Sequence, residues 1–317
     1  MKKKAQKWYK IRQNHNFGYK MMFFCMKVFP PVFVRALAFF IGFFYWLFGA
    51  KTRRVSKDYL KKVALTESAG KSAAPAKSTL KHIISFALNL VEDVQSWAGK
   101  FSFKDISWQN DDVGDLVKNI NAGKGTLILI SHLGNAMMMK GLASLGEAGT
   151  KRRMSITTIS DADISAGFNS LLNEINPGSS FHIINSNDIG PETVLLLQER
   201  LESGETVVIA GDRVSAHTDR NIRIKFLGEE ADFPYGVFLL AALLNAPTYF
   251  VNGLRHKDFS LDPKYDMFVK KNNVDFDCPR KMREERILKT AENYVANLEK
   301  LCLLHPYQWY NFYDFWG

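Results

Sequence analysis

Short apolar runs alternate with stretches of helical spacing through most of this 317-residue chain. The runs are rich in β-branched and aromatic residues, which is typical of strands. They lie at 126–131, 155–160, 181–185, 206–210, 222–227 and 248–251. Helical spacing is found at 80–101, 135–147, 163–175, 190–203, 235–245 and 281–302. Apolar strands that alternate with helices predict an α/β fold with a mostly parallel central sheet and helices on both of its faces.

The N-terminal fifth of the chain combines positive charge with apolar, aromatic sequence. Residues 1–62 hold fifteen Lys or Arg and one acid, Asp58, whereas the remainder holds 27 basic and 31 acidic side chains. The longest uncharged stretch within residues 1–62, at 36–50, has fifteen residues, fewer than the roughly 20 that span a bilayer. This pattern predicts two short helices lying in one membrane leaflet, with cations on anionic headgroups. Burial in a protein core is the alternative.

The charge distribution divides the chain into a membrane-associated segment, 1–62, and an α/β domain, 63–317. Because the basic character is confined to the first segment, a uniformly basic nucleic-acid-binding protein is excluded. The three cysteines are widely spaced and the seven histidines include no H-x-x-x-H pair, so neither a disulfide framework nor a zinc site is indicated. The glycine motifs of nucleotide-binding loops and the G-x-S-x-G elbow of hydrolases do not occur.

One histidine stands at the end of the first apolar run. Residues 126–131 lead directly into His132-Leu133-Gly134-Asn135. Open α/β sheets bind ligands at the carboxyl ends of their strands. Gly134 permits a tight turn, and Asn135 can cap the helix expected after it. From its position alone, His132 is as consistent with a structural role as with a catalytic one.

The block Ser-His-Leu-Gly-Asn at 131–135 resembles the first block of the lysophospholipid-type acyltransferase superfamily, in particular the bacterial lipid A late acyltransferases (lauroyl and myristoyl transferases). Further pieces follow in the order of that family. They are Gly211-Asp212-Arg213, Phe226-Leu227-Gly228, Ala231-Asp232-Phe233-Pro234-Tyr235-Gly236, Asn245-Ala246-Pro247 and the aromatic tail 306–316. The tail is similar to that of a sub-branch often associated with aryl-polyene-type lipid pathways. With the N-terminal segment included, the resemblance covers nearly the whole chain.

The resemblance implies a glycerolipid-acyltransferase-like fold and an enzyme of lipid A or lipopolysaccharide biosynthesis. Such an enzyme moves a fatty acyl chain from acyl carrier protein or coenzyme A to a hydroxyl of a glycolipid or lysophospholipid. It implies no metal and no bound cofactor. The partners it implies are membrane lipid and the acyl thioester, with a monomer on the cytoplasmic face of the bacterial inner membrane.

The resemblance also assigns roles to residues. His132 is the general base. Arg213, oriented by Asp212, is expected to bind phosphate or the developing oxyanion; a structural salt bridge between Asp212 and Arg213 at a helix start is the alternative. The further substrate contacts expected are Gly134, Asn135, Phe233, Pro234, Tyr235 and Gly236.

The family places an orienting carboxylate five residues after the histidine, and here that position is Met137. A thioether cannot accept the ring proton with useful strength. In the better-known triads, loss of the orienting acid costs on the order of 10⁴ in rate. Three interpretations follow: a lipid-binding protein with impaired catalysis, a histidine that acts unaided, or a substitute carboxylate from Asp161, Asp163 or Asp212.

Two other groups of residues are weaker candidates for substrate contacts. Met138, Met139 and the aromatic tail are candidates for the lining of an acyl tunnel, because Met adapts to irregular apolar shapes. Ordinary core packing is the alternative. The basic residues of the run 220–225 are candidates for headgroup contacts, but their alternation with apolar residues is equally typical of a half-exposed strand.

Overall fold

The structure is a computed structural model that describes residues 21, 24, 25, 28–68, 77–97, 103–109, 112–135, 154–160, 181–214, 220–260 and 262–316. The helices of these residues are α1 Pro31–Phe48, α2 Ala50–Glu67, α3 Thr79–Trp97, α4 Asp112–Asn121, α5 Pro191–Glu202, α6 Tyr235–Leu244 and α7 Arg283–Leu304. The strands are β1 Ile106–Trp108, β2 Thr126–Ile130, β3 Ile156–Ser160, β4 Phe181–Asn185, β5 Thr206–Ala210, β6 Asn221–Phe226, β7 Glu229–Pro234, β8 Thr248–Arg255 and β9 Tyr265–Lys271.

Seven strands form one sheet in the order β1-β9-β8-β2-β5-β3-β4. The five strands from β8 to β4 run parallel to one another. β9 is antiparallel to β8, and β1 runs parallel to β9. The α/β fold with a mostly parallel sheet is therefore confirmed.

Successive residues of the central strand face two different cores. Leu127 and Leu129 belong to the larger core, which also contains side chains of α2, α5, α6 and α7. Ile128 and Ile130 belong to a second core, with side chains of α4. Because side chains alternate along a strand, this division places helices on both faces of the sheet. β2 is apolar at four consecutive positions because both of its faces are covered.

The predicted strand at 222–227 exists but lies outside the main sheet. It forms β6, which pairs antiparallel with β7 in a two-stranded hairpin. Leu227 and Gly228 connect the two strands with φ angles of 50° and 87°, the sign that a type I′ hairpin turn requires. The alternating exposure of β6 fits this position, because one face of the hairpin meets the core and the other meets solvent.

Several predicted elements can be compared with the structure and two cannot. The predicted helices at 80–101, 190–203, 235–245 and 281–302 correspond to α3, α5, α6 and α7. The predicted helices at 135–147 and 163–175 lie outside the described residues. β1, β7, β9 and α4 were not predicted from the sequence pattern.

The apolar N-terminal helix packs on one side only. α1 begins at Pro31, and its buried residues Val34 and Ala38 contact the α3 side chains Ile84 and Leu88. The opposite side leaves a row of large apolar side chains exposed, from Val32 to Phe48. Among the described residues, α1 is the one helix long and apolar enough to cross a membrane. That criterion is also met by core helices and signal sequences, so it is weak evidence of membrane association.

The predicted boundary between residues 62 and 63 falls inside α2, so it divides a continuous helix. α2 is amphipathic: Tyr59, Leu60 and Val63 join the larger core, while its exposed side carries basic residues. Those exposed basic residues are Lys51, Arg54, Lys57 and Lys61. Charge counting treats α2 as part of a basic segment, whereas its buried face makes it part of the packed body.

Candidate active site at the carboxyl end of β2

The last residues of two neighbouring strands bring two ionisable side chains to the same edge of the sheet. β2 and β5 are adjacent and parallel, and their final residues, Ile130 and Ala210, are register partners. The backbone N–H of Gly211 donates to the carbonyl of Ile130 over 3.0 Å and extends the pairing. His132 and Asp212 each follow their strand by two residues, so the parallel register places them side by side.

The His132 ring and the Asp212 carboxylate form a hydrogen-bonded pair. Nδ1 of His132 lies 2.7 Å from Oδ1 of Asp212, and the backbone N–H of His132 donates to Oδ2 over 2.9 Å. Asp212 is completely buried, whereas about a third (34%) of the His132 side-chain surface is exposed. The pair therefore has a buried acid and a histidine that solvent reaches.

The protonation state of the pair follows from its surroundings. Burial raises the pKa of Asp212, but the adjacent His132 ring, the Arg213 charge and the N–H donors outweigh burial and hold that pKa below its usual value. Asp212 is therefore an anion at neutral pH and can only accept hydrogen bonds. Nδ1 of His132 must carry the proton, which leaves Nε2 as the basic nitrogen of the neutral ring.

Two further donors reach the Asp212 carboxylate from the C-terminal tail. The indole N–H of Trp309 lies 3.0 Å from Oδ2, and the side-chain amide of Asn311 lies 3.3 Å from the same oxygen. With the His132 backbone N–H, three donors thus surround Oδ2 while Oδ1 faces the imidazole. Because a buried carboxylate without partners is costly, these donors stabilise the ionised form.

The turn after His132 is tightly packed, and its backbone groups are engaged within the chain. Gly134 has a φ of 76°, and its N–H donates to the carbonyl of Gln308 over 2.8 Å. The N–H of Asn135 donates to the carbonyl of Gly253 over 2.8 Å. The backbone N–H groups of Gly134 and Asn135, two of the expected substrate contacts, therefore already have acceptors within the chain.

The Asn135 side chain also points into the protein and not toward a substrate. Asn135 is completely buried. Its amide nitrogen lies 3.5 Å from Oγ of Ser96 and 3.4 Å from the hydroxyl of Tyr265. Asn135 therefore joins the His132 turn to α3 and β9. The helix that Asn135 was expected to cap lies outside the described residues.

Arg213 is half-buried and binds the C-terminal tail. Its Nε donates to Oδ1 of Asn311 over 2.8 Å, and its Nη2 donates to the carbonyl of Tyr310 over 3.2 Å. The guanidinium carbon lies 6.0 Å from the ring centre of Tyr313. Burial lowers the pKa of Arg213. Asp212 was expected to orient Arg213, but its carboxylate instead faces His132, and the tail orients the guanidinium.

The four residues from Phe233 to Gly236, which were expected to contact substrate, lie at the end of a hairpin strand and at the start of a helix. Phe233 and Pro234 are buried at the end of β7, and Gly236 is exposed in the first turn of α6. Tyr235 is buried, and its hydroxyl donates to Oε2 of Glu284 over 2.7 Å. Phe233 packs edge-on against Phe315. Phe233 therefore packs against the aromatic tail, and three of the four residues are buried in the protein.

The aromatic tail is part of the larger core. The Trp309 ring is completely buried and lies 5.0 Å from the Tyr59 ring, 5.2 Å from Phe226 and 4.9 Å from Phe315, between ring centres. The main chain of the tail also pairs with the His132 block, because the N–H of Tyr310 donates to the carbonyl of His132 over 2.8 Å. The rings of the tail are therefore packed in the core, and its main chain is joined to the His132 block; Met138 and Met139 lie outside the described residues.

A buried histidine, which the sequence pattern did not indicate, forms a hydrogen bond with the C-terminal tail. Nε2 of His82 lies 2.8 Å from the carbonyl of Trp309, and Nδ1 lies 2.9 Å from Oγ of Ser56. Burial lowers the pKa of His82 to about 4. The neutral ring donates from Nε2 to the carbonyl and accepts from the Ser56 hydroxyl. His82 thus connects α2 and α3 to the residue that binds Asp212.

Sequence reasoning missed Trp309 and Asn311 as parts of the site. Their polar atoms converge on residues almost 100 positions earlier, a relationship that local pattern does not reveal. The one local signal is the presence of buried amides, Gln308 and Asn311, within a strongly aromatic run. Met137, Asp161 and Asp163 lie outside the described residues.

Within the part of the chain that the structure describes, no group of three or more His, Cys, Asp or Glu side chains is arranged to hold a metal ion. A comparison of the chain with models of protein families and a search among curated proteins both find no significant match.

Proposed function

We propose that this chain is a membrane-associated O-acyltransferase in which His132 is the general base and Asp212 is the orienting acid. The observation that carries this proposal is the 2.7 Å contact between Nδ1 of a partly exposed histidine and a fully buried, ionised carboxylate. Such a pair at the carboxyl end of parallel strands is suited to activating a hydroxyl group. The resemblance of the His132 block and of the later blocks supplies the reaction class.

The chemistry follows from the tautomer of the pair. Nε2 of His132 accepts the proton of an acceptor hydroxyl while the oxygen attacks the carbonyl carbon of an acyl thioester. The negatively charged Asp212 stabilises the imidazolium and keeps its Nδ1–H directed inward. When the tetrahedral intermediate collapses, the C–S bond breaks and the imidazolium returns the proton to the leaving thiolate. The products are an ester and a free thiol, and the base is regenerated.

The N-terminal helices support a membrane location for this reaction. Phe40, Phe44 and Phe48 recur at intervals of four on α1, and each is at least half exposed. The exposed side of α2, the next helix, carries four basic residues. An apolar face beside a basic helix favours the interface of an anionic leaflet. We place the protein there as a monomer, on the cytoplasmic face of the bacterial inner membrane, where acyl carrier protein or coenzyme A thioesters and lipid acceptors meet.

The position of Asp212 also affects how we interpret Met137, which stands where the family motif has an acid. The interpretation that catalysis is impaired rests on the absence of an acid at that position in the motif. Since a carboxylate from β5 already contacts the imidazole, the reaction does not require one from the residue five positions after His132. We therefore favour the interpretation with a substitute carboxylate over a lipid-binding protein without turnover.

The test is acyl transfer by the purified full chain in detergent micelles. Radiolabelled acyl-coenzyme A and acyl-acyl carrier protein are each offered with lipid A precursors and lysophospholipids as acceptors. We expect ester formation that His132→Ala abolishes. Transfer by His132→Ala equal to that of the wild type would remove His132 as the base. No transfer by the wild type with any of these pairs would remove the enzymatic proposal.

A second variant distinguishes a chain in which Asp212 substitutes for the motif acid from a chain whose catalysis is impaired. In Met137→Glu the acid of the family motif is restored. If Asp212 already orients His132, Met137→Glu changes the transfer rate by no more than a few fold. A gain of 100-fold or more would show that the natural chain lacks its orienting acid, and would favour the impaired lipid-binding protein.

A further inference from the structure

The C-terminal tail contacts both members of the catalytic pair and the neighbouring arginine. We call residues Trp309, Tyr310 and Asn311 the C-terminal clasp. Its polar atoms contact Asp212 from two side chains, Arg213 from a side chain and a carbonyl, and His132 from a backbone N–H. The buried polar groups of the tail need hydrogen-bond partners, and five of their hydrogen bonds are made with the pair and with Arg213.

Asn311 is the most informative member of the clasp, because the two ends of one amide bind opposite charges. Its Nδ2 lies 3.3 Å from Oδ2 of Asp212, and its Oδ1 accepts from Nε of Arg213 over 2.8 Å. Only the donor end suits a carboxylate, and only the acceptor end suits a guanidinium. The orientation of the amide is therefore fixed by its neighbours, and in turn it fixes the positions of both.

The clasp is itself held in place. Asn311 is 2% exposed and Trp309 is completely buried. The carbonyl of Trp309 accepts from the His82 ring, and the hydroxyl of Tyr310 lies 3.0 Å from Oγ of Ser85. Rigid partners of this kind keep a hydrogen-bonded group in one rotamer. The clasp thus connects α3 with the Asp212 carboxylate through hydrogen bonds.

We propose that Asn311, supported by Trp309, is a positioning residue of the acyl-transfer site: it holds Asp212 so that Oδ1 faces His132, and it holds Arg213 beside the pair. This inference rests on the proposed function, because it assigns a task within that reaction. Asn311 touches neither substrate nor the reacting nitrogen. Its effect passes through the direction of the Asp212 carboxylate and, from there, through the tautomer of His132.

The principal test compares Asn311→Leu with the wild-type chain. Leucine keeps the approximate volume and removes both hydrogen bonds of the amide. Loss of the hydrogen-bond partners that orient metal ligands typically costs about 10- to 100-fold in activity. We expect a loss of similar size here, in kcat with KM little changed. We also expect the acid limb of the pH–rate profile to move, because that limb reports the titration of His132.

A second readout does not need activity. In the full chain in micelles with ¹⁵N-labelled histidine, the ring nitrogens of His132 are assigned with His132→Gln. The wild type is expected to show Nδ1 protonated in the neutral ring. Asn311→Leu is expected to show a mixture of the two tautomers and a shifted titration. A wild-type tautomer and titration in Asn311→Leu would overturn the inference, whatever the enzyme assay shows.

Control variants distinguish a loss of positioning at the site from a general loss of protein stability. Asn272 is also buried and hydrogen-bonded, but it follows β9 at the amino end of the parallel strands, where its N–H binds the carbonyl of Thr248. Asn272→Leu should lower the unfolding temperature without altering the His132 signals. If Asn311→Leu fails to fold, Asn311→Ala replaces it. Alanine also removes both hydrogen bonds of the amide, so the same mixture of tautomers and shifted titration of His132 are expected, and a wild-type tautomer and titration in Asn311→Ala would overturn the inference.

These readouts distinguish two failures. If the wild type transfers no acyl group but Asn311→Leu alters the His132 tautomer, the proposed function fails and the positioning of the pair stands. If the wild type is active and Asn311→Leu leaves both kcat and the tautomer unchanged, the function stands and the positioning role fails.

Discussion

Nδ1 of His132 and Oδ1 of Asp212 lie 2.7 Å apart although 80 residues separate them in the chain. The contact follows from two adjacent parallel strands that end in register. It places an acid beside the imidazole, whereas the sequence just after His132 contains none before Glu147.

Replacement of Asp212 by Asn tests this contact directly. An amide does not enforce the productive tautomer of the ring, so Asp212→Asn is expected to lower kcat by about 10³- to 10⁴-fold. The measurement is initial acyl-transfer rate in micelles. Asp314→Asn, an exposed change in the same tail, should retain wild-type rates. A tenfold loss or less in Asp212→Asn would mean that His132 acts without this acid.

The turn after His132 leaves no room for a side chain. A Cβ on Gly134 would lie 2.2 Å from the carbonyl oxygen of Gly253, and the φ of 76° is itself unfavourable for other residues. Gly134→Ala is expected to cost more than about 2 kcal/mol of unfolding free energy and to displace His132. Thermal unfolding of the purified chain measures this. Gly114→Ala is the control, since a Cβ there meets nothing within 4 Å and a helix favours Ala.

His82 predicts a pH dependence of stability. Its folded pKa is about 4, below the unfolded value of about 6.5, so the unfolded chain binds the proton more readily. Its contribution to stability is complete above about pH 6.5 and is lost as the pH falls toward 4, by about 3 kcal/mol. Unfolding temperatures measured across this range should fall toward acid. His82→Gln should flatten the slope, whereas the exposed His256→Gln should keep it.

The exposed face of α1 predicts binding to anionic membranes. Phe40 and Phe44 are 61% and 54% exposed, and each buried Phe is worth roughly 2 kcal/mol. The double change Phe40→Ser, Phe44→Ser should weaken binding to phosphatidylglycerol vesicles at least 100-fold in a flotation assay. Leu195→Ser, at a 60% exposed position on α5, should leave binding unchanged. Equal loss in both variants would show that α1 is not the membrane-facing surface.

The sequence by itself determined the class of fold and the place of the histidine. The apolar strand runs and their alternation with helices fixed a mostly parallel sheet, because burial on both faces demands continuous apolar strands. The end of β2 then fixed His132 at the ligand-binding edge. These properties are local in the chain, so residue pattern is sufficient to reveal them.

Only the tertiary structure determined which residues contact His132 and its partner Asp212. The sequence left Asp161, Asp163 and Asp212 as candidates for an acid. Asp212 contacts His132 because the strand order places β5 beside β2, whereas Asp161 and Asp163 lie outside the described residues. Trp309 and Asn311 reach the same carboxylate from the end of the chain. Strand order and the path of the tail depend on contacts between distant segments, and no local pattern of side chains encodes which segments meet.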